Sequence, residues 1–156
     1  VSLASHLLDE LAARSMTLAT CESLTGGLIG ATITSVPGAS RVYRGGLVAY
    51  ASDLKTSLVG VDGDHVAKYG VINLYTAQQM AEGAAKLCGA DACVAVTGVA
   101  GPDPQDGSAP GTVWVGYVVP GKTDAVLLSL NGTREEIRNQ TVEAALETLL
   151  QALATS

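Results

Sequence analysis

Phenylalanine is missing from these 156 residues, tryptophan occurs once, and aromatic side chains make up only 4% of the chain. A core without large rings is filled by Val, Leu, Ile and Ala, in keeping with an apolar content of 47%. Small side chains let helices approach a sheet closely, and the 18 glycines mark several loops governed by the backbone. Basic residues are scarce as well: nine Lys and Arg stand against fifteen Asp and Glu, a net charge of −6. That leaves no basic face for nucleic acid, so none is expected as a partner. No run approaches the ~20 apolar residues that span a bilayer, and no basic N-region precedes a secretory hydrophobic segment. No membrane partner is expected, and the expected location is cytoplasmic. Cys21, Cys88 and Cys93 are odd in number and lack metal-ligand spacing, which suits free thiols in a reducing compartment.

Several chemical signatures are absent too. No Gly-x-x-x-x-Gly-Lys order, dinucleotide fingerprint or Gly-x-Ser-x-Gly pattern occurs, which removes the common phosphate-loop and esterase templates. Asp62, Asp64, Asp103 and Asp106 do not have calcium-loop spacing and read as turn formers. No metal and no cofactor is therefore expected. His6 and His65 each lack an orienting constellation, so neither is favoured as a catalytic base.

What is present is alternating strand and helix. Leu3, Leu7, Leu8 and Leu11 share one helical stripe within 2–15. Thr17 to Cys21 reads as a strand leading to a small-residue helix over roughly 25–35, ended by Pro37-Gly38. Arg44 to Ala51 reads as a second strand, followed by a short helix from Asp53 that holds Lys55. The segment 63–70 around His65 reads as surface chain. A helix over 74–87 has capping-box spacing at Thr76 and Gln79. Ala92 to Thr97 is continuously apolar, as in a buried central strand. A long loop from Gly98 to Gly111 precedes strands at 112–119 and 125–130, joined as a hairpin through Pro120-Gly121-Lys122. The last helix starts near Thr133, again with capping-box spacing to Glu136. Five apolar strands with helices before, between and after them predict a single α/β domain over 1–156. Its layers form a three-layer α/β/α sandwich with a mixed sheet.

Ser23 stands where the first strand gives way to a helix, at the edge where open α/β folds hold ligands. The first-turn amides around Thr25, Gly26 and Gly27 are candidates to hold an oxyanion or phosphate. Ser23 is either a nucleophile or, as an N-cap (a place Thr25 could also take) or a binding hydroxyl, not catalytic. Lys55 is either a partly desolvated general base or a solvated surface lysine. Tyr50 either donates a hydrogen bond across the site or covers the sheet edge. Gly45-Gly46 and Gly98-Val99-Ala100-Gly101-Pro102 are further flexible or tightly turned points. Arg134 and Arg138 are the cations available for an anionic substrate, with Arg134 preferred because it lies in the turn before the last helix.

The ordered set Glu22-Ser23-x-Thr25-Gly26-Gly27, Pro37-Gly38-Ala39-Ser40, Gly45-Gly46-x-x-Ala49-Tyr50, Lys55, Met80-Ala81-x-Gly83, Thr97-Gly98-Val99-Ala100-Gly101-Pro102, Gly111-Thr112-Val113 and Arg134-x-x-x-Arg138 closely resembles the CinA C-terminal domain family. These are the nicotinamide mononucleotide deamidases, also described as competence/damage-inducible proteins. The resemblance implies a five-stranded mixed sheet in a three-layer sandwich with anticodon-binding-domain-like topology. It implies conversion of nicotinamide mononucleotide and water to nicotinic acid mononucleotide and ammonia, and it implies a homodimer. It places the nucleophile at Ser23, its partner at Lys55, and Tyr50 in the lining. Substrate contacts would come from Thr25, Gly26, Gly27, Gly46, Thr97, Gly98, Ala100, Gly101, Arg134 and Arg138. Leu24, Asn73, Thr133 and the loop Asp103 to Ser108 depart from the family pattern. A catalytically lapsed nucleotide-binding or interaction module of the same fold is the alternative.

Overall fold

The computed structural model describes residues 2–155; Val1 and Ser156, included in the expected domain, lie outside the described residues. Eleven elements follow one another: α1 (Leu3–Ala13), β1 (Leu18–Glu22), α2 (Leu28–Thr34), β2 (Tyr43–Val48), α3 (Ser52–Val59), α4 (Gly63–Tyr69), α5 (Leu74–Cys88), β3 (Ala92–Gly98), β4 (Thr112–Val119), β5 (Lys122–Ser129) and α6 (Arg134–Ala154). A single 3₁₀ turn at Ala39–Arg41 leads into β2.

The five strands lie in the order β2-β1-β3-β4-β5. β1 runs parallel to both β2 and β3, while β4 is antiparallel to β3 and β5. Side chains alternate across the two faces of the sheet. Leu18, Val94, Val96, Val113 and Val115 face one way and pack with Leu7, Leu11, Ile29, Leu146 and Leu149 of α1, α2 and α6. Ala19, Cys21, Cys93 and Ala95 face the other way, against Met80, Ala81 and Ala84 of α5 and Val59 of α3. The architecture is the expected three-layer α/β/α sandwich. The small residues on the second face let α5 lie close to the sheet. The same economy joins α5 to α3: a Cβ on Gly83 would strike the Val59 carbonyl, so only glycine permits that approach.

Four local expectations need correction. Segment 63–70 is not plain surface chain but α4, whose N-cap Asp62 accepts from the Asp64 amide. Its residues bury nothing fully, so no apolar periodicity announced it. The capping box expected at Thr76 and Gln79 is not used. Asn73 caps α5, its Oδ1 accepting from the Thr76 amide at 2.9 Å, and Gln79 instead accepts from the Asp62 amide at 2.7 Å. β5 begins at Lys122 rather than at 125, so only Pro120-Gly121 forms the turn. β2 ends at Val48, before the expected Ala51. The capping box at Thr133 and Glu136 is present on both sides.

Because β1, β2 and β3 run the same way, their C-terminal ends share one edge of the sheet. Ser23 follows β1, Ala49-Tyr50 follows β2, and the loop from Gly98 follows β3. That edge carries the site.

Candidate active site

Ser23 leaves β1 with 7% of its surface exposed. Lys55 sits one turn into α3, directly after the end of β2. Helical side chains lean towards the N-terminus of their own helix, which returns this one over the strand end. Nζ reaches Ser23 Oγ at 3.0 Å, the Ala49 carbonyl at 2.8 Å and the Tyr50 carbonyl at 3.1 Å. With 1% of its surface exposed, Lys55 is not the solvated lysine that the sequence left open. Nζ donates to all three of these oxygens; a neutral amine would keep two N–H groups for the carbonyls and offer its lone pair to the Ser23 O–H.

Burial pulls the Lys55 pKa below the ordinary lysine value of 10.5, because an ammonium is poorly solvated there. Negative charge on Cys21 and Asp106 would push the other way. Burial pushes the Cys21 thiol up to about 12, so at neutral pH it carries no charge and the effect of burial on Lys55 stands.

The turn after Ser23 is arranged differently from the expected open helix N-terminus. Glu22, 2% exposed, folds its carboxylate over the start of α2. It accepts from the Thr25 hydroxyl at 2.6 Å and from the Gly27, Ile29 and Gly30 amides at 3.2, 2.9 and 3.0 Å. The Gly26 amide donates to the Ser23 carbonyl at 3.1 Å. The Thr25 hydroxyl and the Gly26 and Gly27 amides are thus committed within the protein, and these two amides are not a free anion cradle. Sequence reasoning assigned Glu22 no role. Its signal was an acid set just ahead of a glycine turn that opens a helix.

A cleft of about 590 Å³ opens beside Ser23, bounded by Leu24, Tyr50, the segment from Gly98 to Gln105, and Arg134. Such a volume suits a small-molecule ligand. The main-chain N–H groups of Leu24, Ala100 and Gly101 donate to no protein group among the described residues. The first belongs to the residue after the serine, a common source of oxyanion donors. Arg134 spans the mouth of the cleft, donating to the Gly101 carbonyl at 2.6 Å and to the Tyr50 phenol oxygen at 3.2 Å. Tyr50 therefore meets Lys55 through its carbonyl and Arg134 through its ring oxygen.

Of the expected contact residues, Thr25, Gly26, Gly27, Gly46, Thr97 and Arg138 lie outside this lining. Arg138 donates to the Leu24 and Thr25 carbonyls at 2.9 and 3.2 Å and buttresses the serine turn from behind. Gly46 lies on β2 under the hydroxyls of Thr20 and Tyr43, which a Cβ would strike. The Thr97 side chain turns away, donating to the Val71 carbonyl at 2.8 Å. No group of three or more His, Cys, Asp or Glu side chains suited to a metal ion occurs among the described residues. No helix is long and apolar enough to cross a membrane among those residues.

Residues 1–153 match the CinA C-terminal domain. The chain belongs to that family. A CinA-like protein of Gemmatimonas aurantiaca is 42% identical over 153 residues, covering 97% of this chain and 36% of the relative. A putative competence-damage inducible protein of Limosilactobacillus fermentum is 43% identical over 155 residues, covering 98% and 37%. This CinA domain thus spans little more than a third of those curated relatives. Among solved structures, a CinA superfamily protein from Klebsiella pneumoniae superposes with a TM-score of 0.95 at 29% identity, covering 99% of this chain and 97% of the other. A competence/damage inducible protein from Agrobacterium tumefaciens gives 0.91 at 34% identity, covering 97% and 93%. The CinA fold therefore extends through the whole described chain.

Proposed function

We propose that this domain is an amidohydrolase that converts nicotinamide mononucleotide and water to nicotinic acid mononucleotide and ammonia. The observation that carries the reading is the buried contact of Lys55 Nζ with Ser23 Oγ at 3.0 Å, beside an open cleft. Neutral Lys55 takes the Ser23 proton as Oγ attacks the carboxamide carbon. The Leu24, Ala100 and Gly101 amides stabilise the resulting oxyanion. Collapse breaks the C–N bond, and Lys55 returns the proton so that ammonia leaves. Water then attacks the nicotinoyl ester of Ser23, giving a proton to Lys55; collapse breaks the acyl–Oγ bond, Lys55 returns the proton to Oγ, and the acid product leaves as the carboxylate after losing its proton to solvent. Arg134 supplies positive charge at the mouth for the substrate's phosphate. The same reading carries a homodimer in the cytoplasm, with the mononucleotide as small-molecule partner and no metal, nucleic acid or membrane involved.

Ammonia release from nicotinamide mononucleotide tests it directly. Wild type is expected to release ammonia and S23A to release none, with circular dichroism and melting point nearly unchanged. Wild-type turnover in S23A overturns the covalent route. Absence of ammonia from the folded wild type overturns the substrate.

A further inference from the structure

The wall of the cleft from Gly98 to Gln105 belongs to a long loop, and this loop is held at two points by one residue. At its root, the Thr97 hydroxyl donates to the Val71 carbonyl at 2.8 Å. At its tip, the Asp106 carboxylate accepts from the Val71 amide at 3.1 Å. The tip is a tight turn in its own right. Gln105 and Ser108 exchange main-chain hydrogen bonds at 3.0 and 2.8 Å, while Asp106 and Gly107 take positive φ of 48° and 74°. The seat below is shaped for the acid. Gly70 has φ +75°, and a Cβ there would press on the Asp106 carboxylate. Val71 is itself anchored in a small apolar cluster with Ile72 and Val99.

We infer that Asp106 is a positioning residue for this site: with Thr97 it pins the lining loop to both main-chain polar groups of Val71. The inference rests on Ser23 and Lys55 being the working pair of the proposed function.

Two variants test the latch. D106N keeps an oxygen for the Val71 amide, and Asn tolerates positive φ, so the latch persists. D106G removes the latch without adding a Cβ at that positive φ. Amide exchange at Val71 should remain slow in D106N and become fast in D106G. With the mononucleotide as substrate, D106G should raise KM roughly tenfold, the scale of one charge-assisted hydrogen bond, with D106N restoring most of that loss. Slow Val71 exchange in D106G overturns the latch, and a wild-type KM in D106G with fast exchange overturns the positioning role. The exchange needs no substrate, so its outcome stands apart from failure of the proposed reaction.

Discussion

Glu22 and Gly30 meet across the N-terminus of α2, the Gly30 amide donating to Glu22 Oε2 at 3.0 Å. The other carboxylate oxygen gathers the Thr25 hydroxyl and the Gly27 and Ile29 amides. One acid therefore joins the end of β1 to the start of α2. Ser23 lies inside the connection it clamps.

Truncating that acid should loosen the whole turn. E22A leaves four buried or half-buried donors without their acceptor, and hydrogen bonds to a charged group are worth about 1.5–3 kcal/mol each. A loss of about 3 kcal/mol or more in urea unfolding is expected, together with lower kcat as Ser23 loses its fixed position. A change below about 0.5 kcal/mol, the ordinary surface range, would show that the clamp is dispensable.

On the proposed reaction, Lys55 would give activity a defined pH dependence. The protonated form cannot accept the Ser23 proton, so kcat/KM should rise with pH, with a midpoint below 10.5 because burial lowers the pKa. Stability follows the same sign. Between the lowered folded value and the ordinary unfolded one, the unfolded chain holds a proton that the folded chain lacks, so stability rises with pH across that window. K55M should abolish that slope. K55R, charged throughout, should lose roughly two to four decades of kcat. Wild-type kcat in K55R would remove Lys55 from proton transfer.

Arg134 should discriminate between substrates by their phosphate. R134A is expected to raise KM for the mononucleotide by about one to two decades, as loss of a charge-assisted contact implies. The phosphate-free riboside should be affected far less. Because Arg134 also holds the Gly101 carbonyl and the Tyr50 phenol, an equal fall in kcat/KM for both compounds would assign it to wall geometry alone.

Legibility in the sequence tracked burial and local chemistry. The continuously apolar Ala92–Gly98 strand and the Thr133–Glu136 box were readable because pattern and cap coincide within a few residues. Ser23 and Lys55 were placed at the correct edge because strand ends and helix starts mark it. What escaped was decided by partners distant in the fold. Thr76 sits three residues from Gln79 as a capping box requires, yet the Asn73 side chain reached the helix end first. Arg134 and Arg138 lie one turn apart on α6, and only the packing of the serine turn decides that Arg138 faces its carbonyls. The Gly27 amide looked free because nothing local shows the Glu22 carboxylate folding back, and the Gly26 amide because its bond to the Ser23 carbonyl depends on how the turn closes.

Gly46 illustrates how a motif glycine serves the fold. Thr20 and Tyr43 share a hydrogen bond at 2.6 Å, and both hydroxyls occupy the space a Cβ at Gly46 would need. G46A should cost about 1–3 kcal/mol, the usual penalty for overpacking, with kcat/KM of the remaining folded enzyme unchanged. Loss of kcat/KM at unaltered stability would return Gly46 to the substrate's surroundings.

The contact of Gly83 with the Val59 carbonyl acts as a spacer gauge for the site. Val59 ends the helix that carries Lys55, so the gap between α3 and α5 sets how far the amine extends towards Ser23. Any side chain at position 83 would widen that gap and lift Lys55 away from the Ser23 hydroxyl, which on the proposed reaction is its proton donor. A screen for inactive alleles would thus recover lesions on the outer helical layer, remote from the cleft. Their defect would be one of reach: every reacting group intact, and the base too far from the hydroxyl to take its proton.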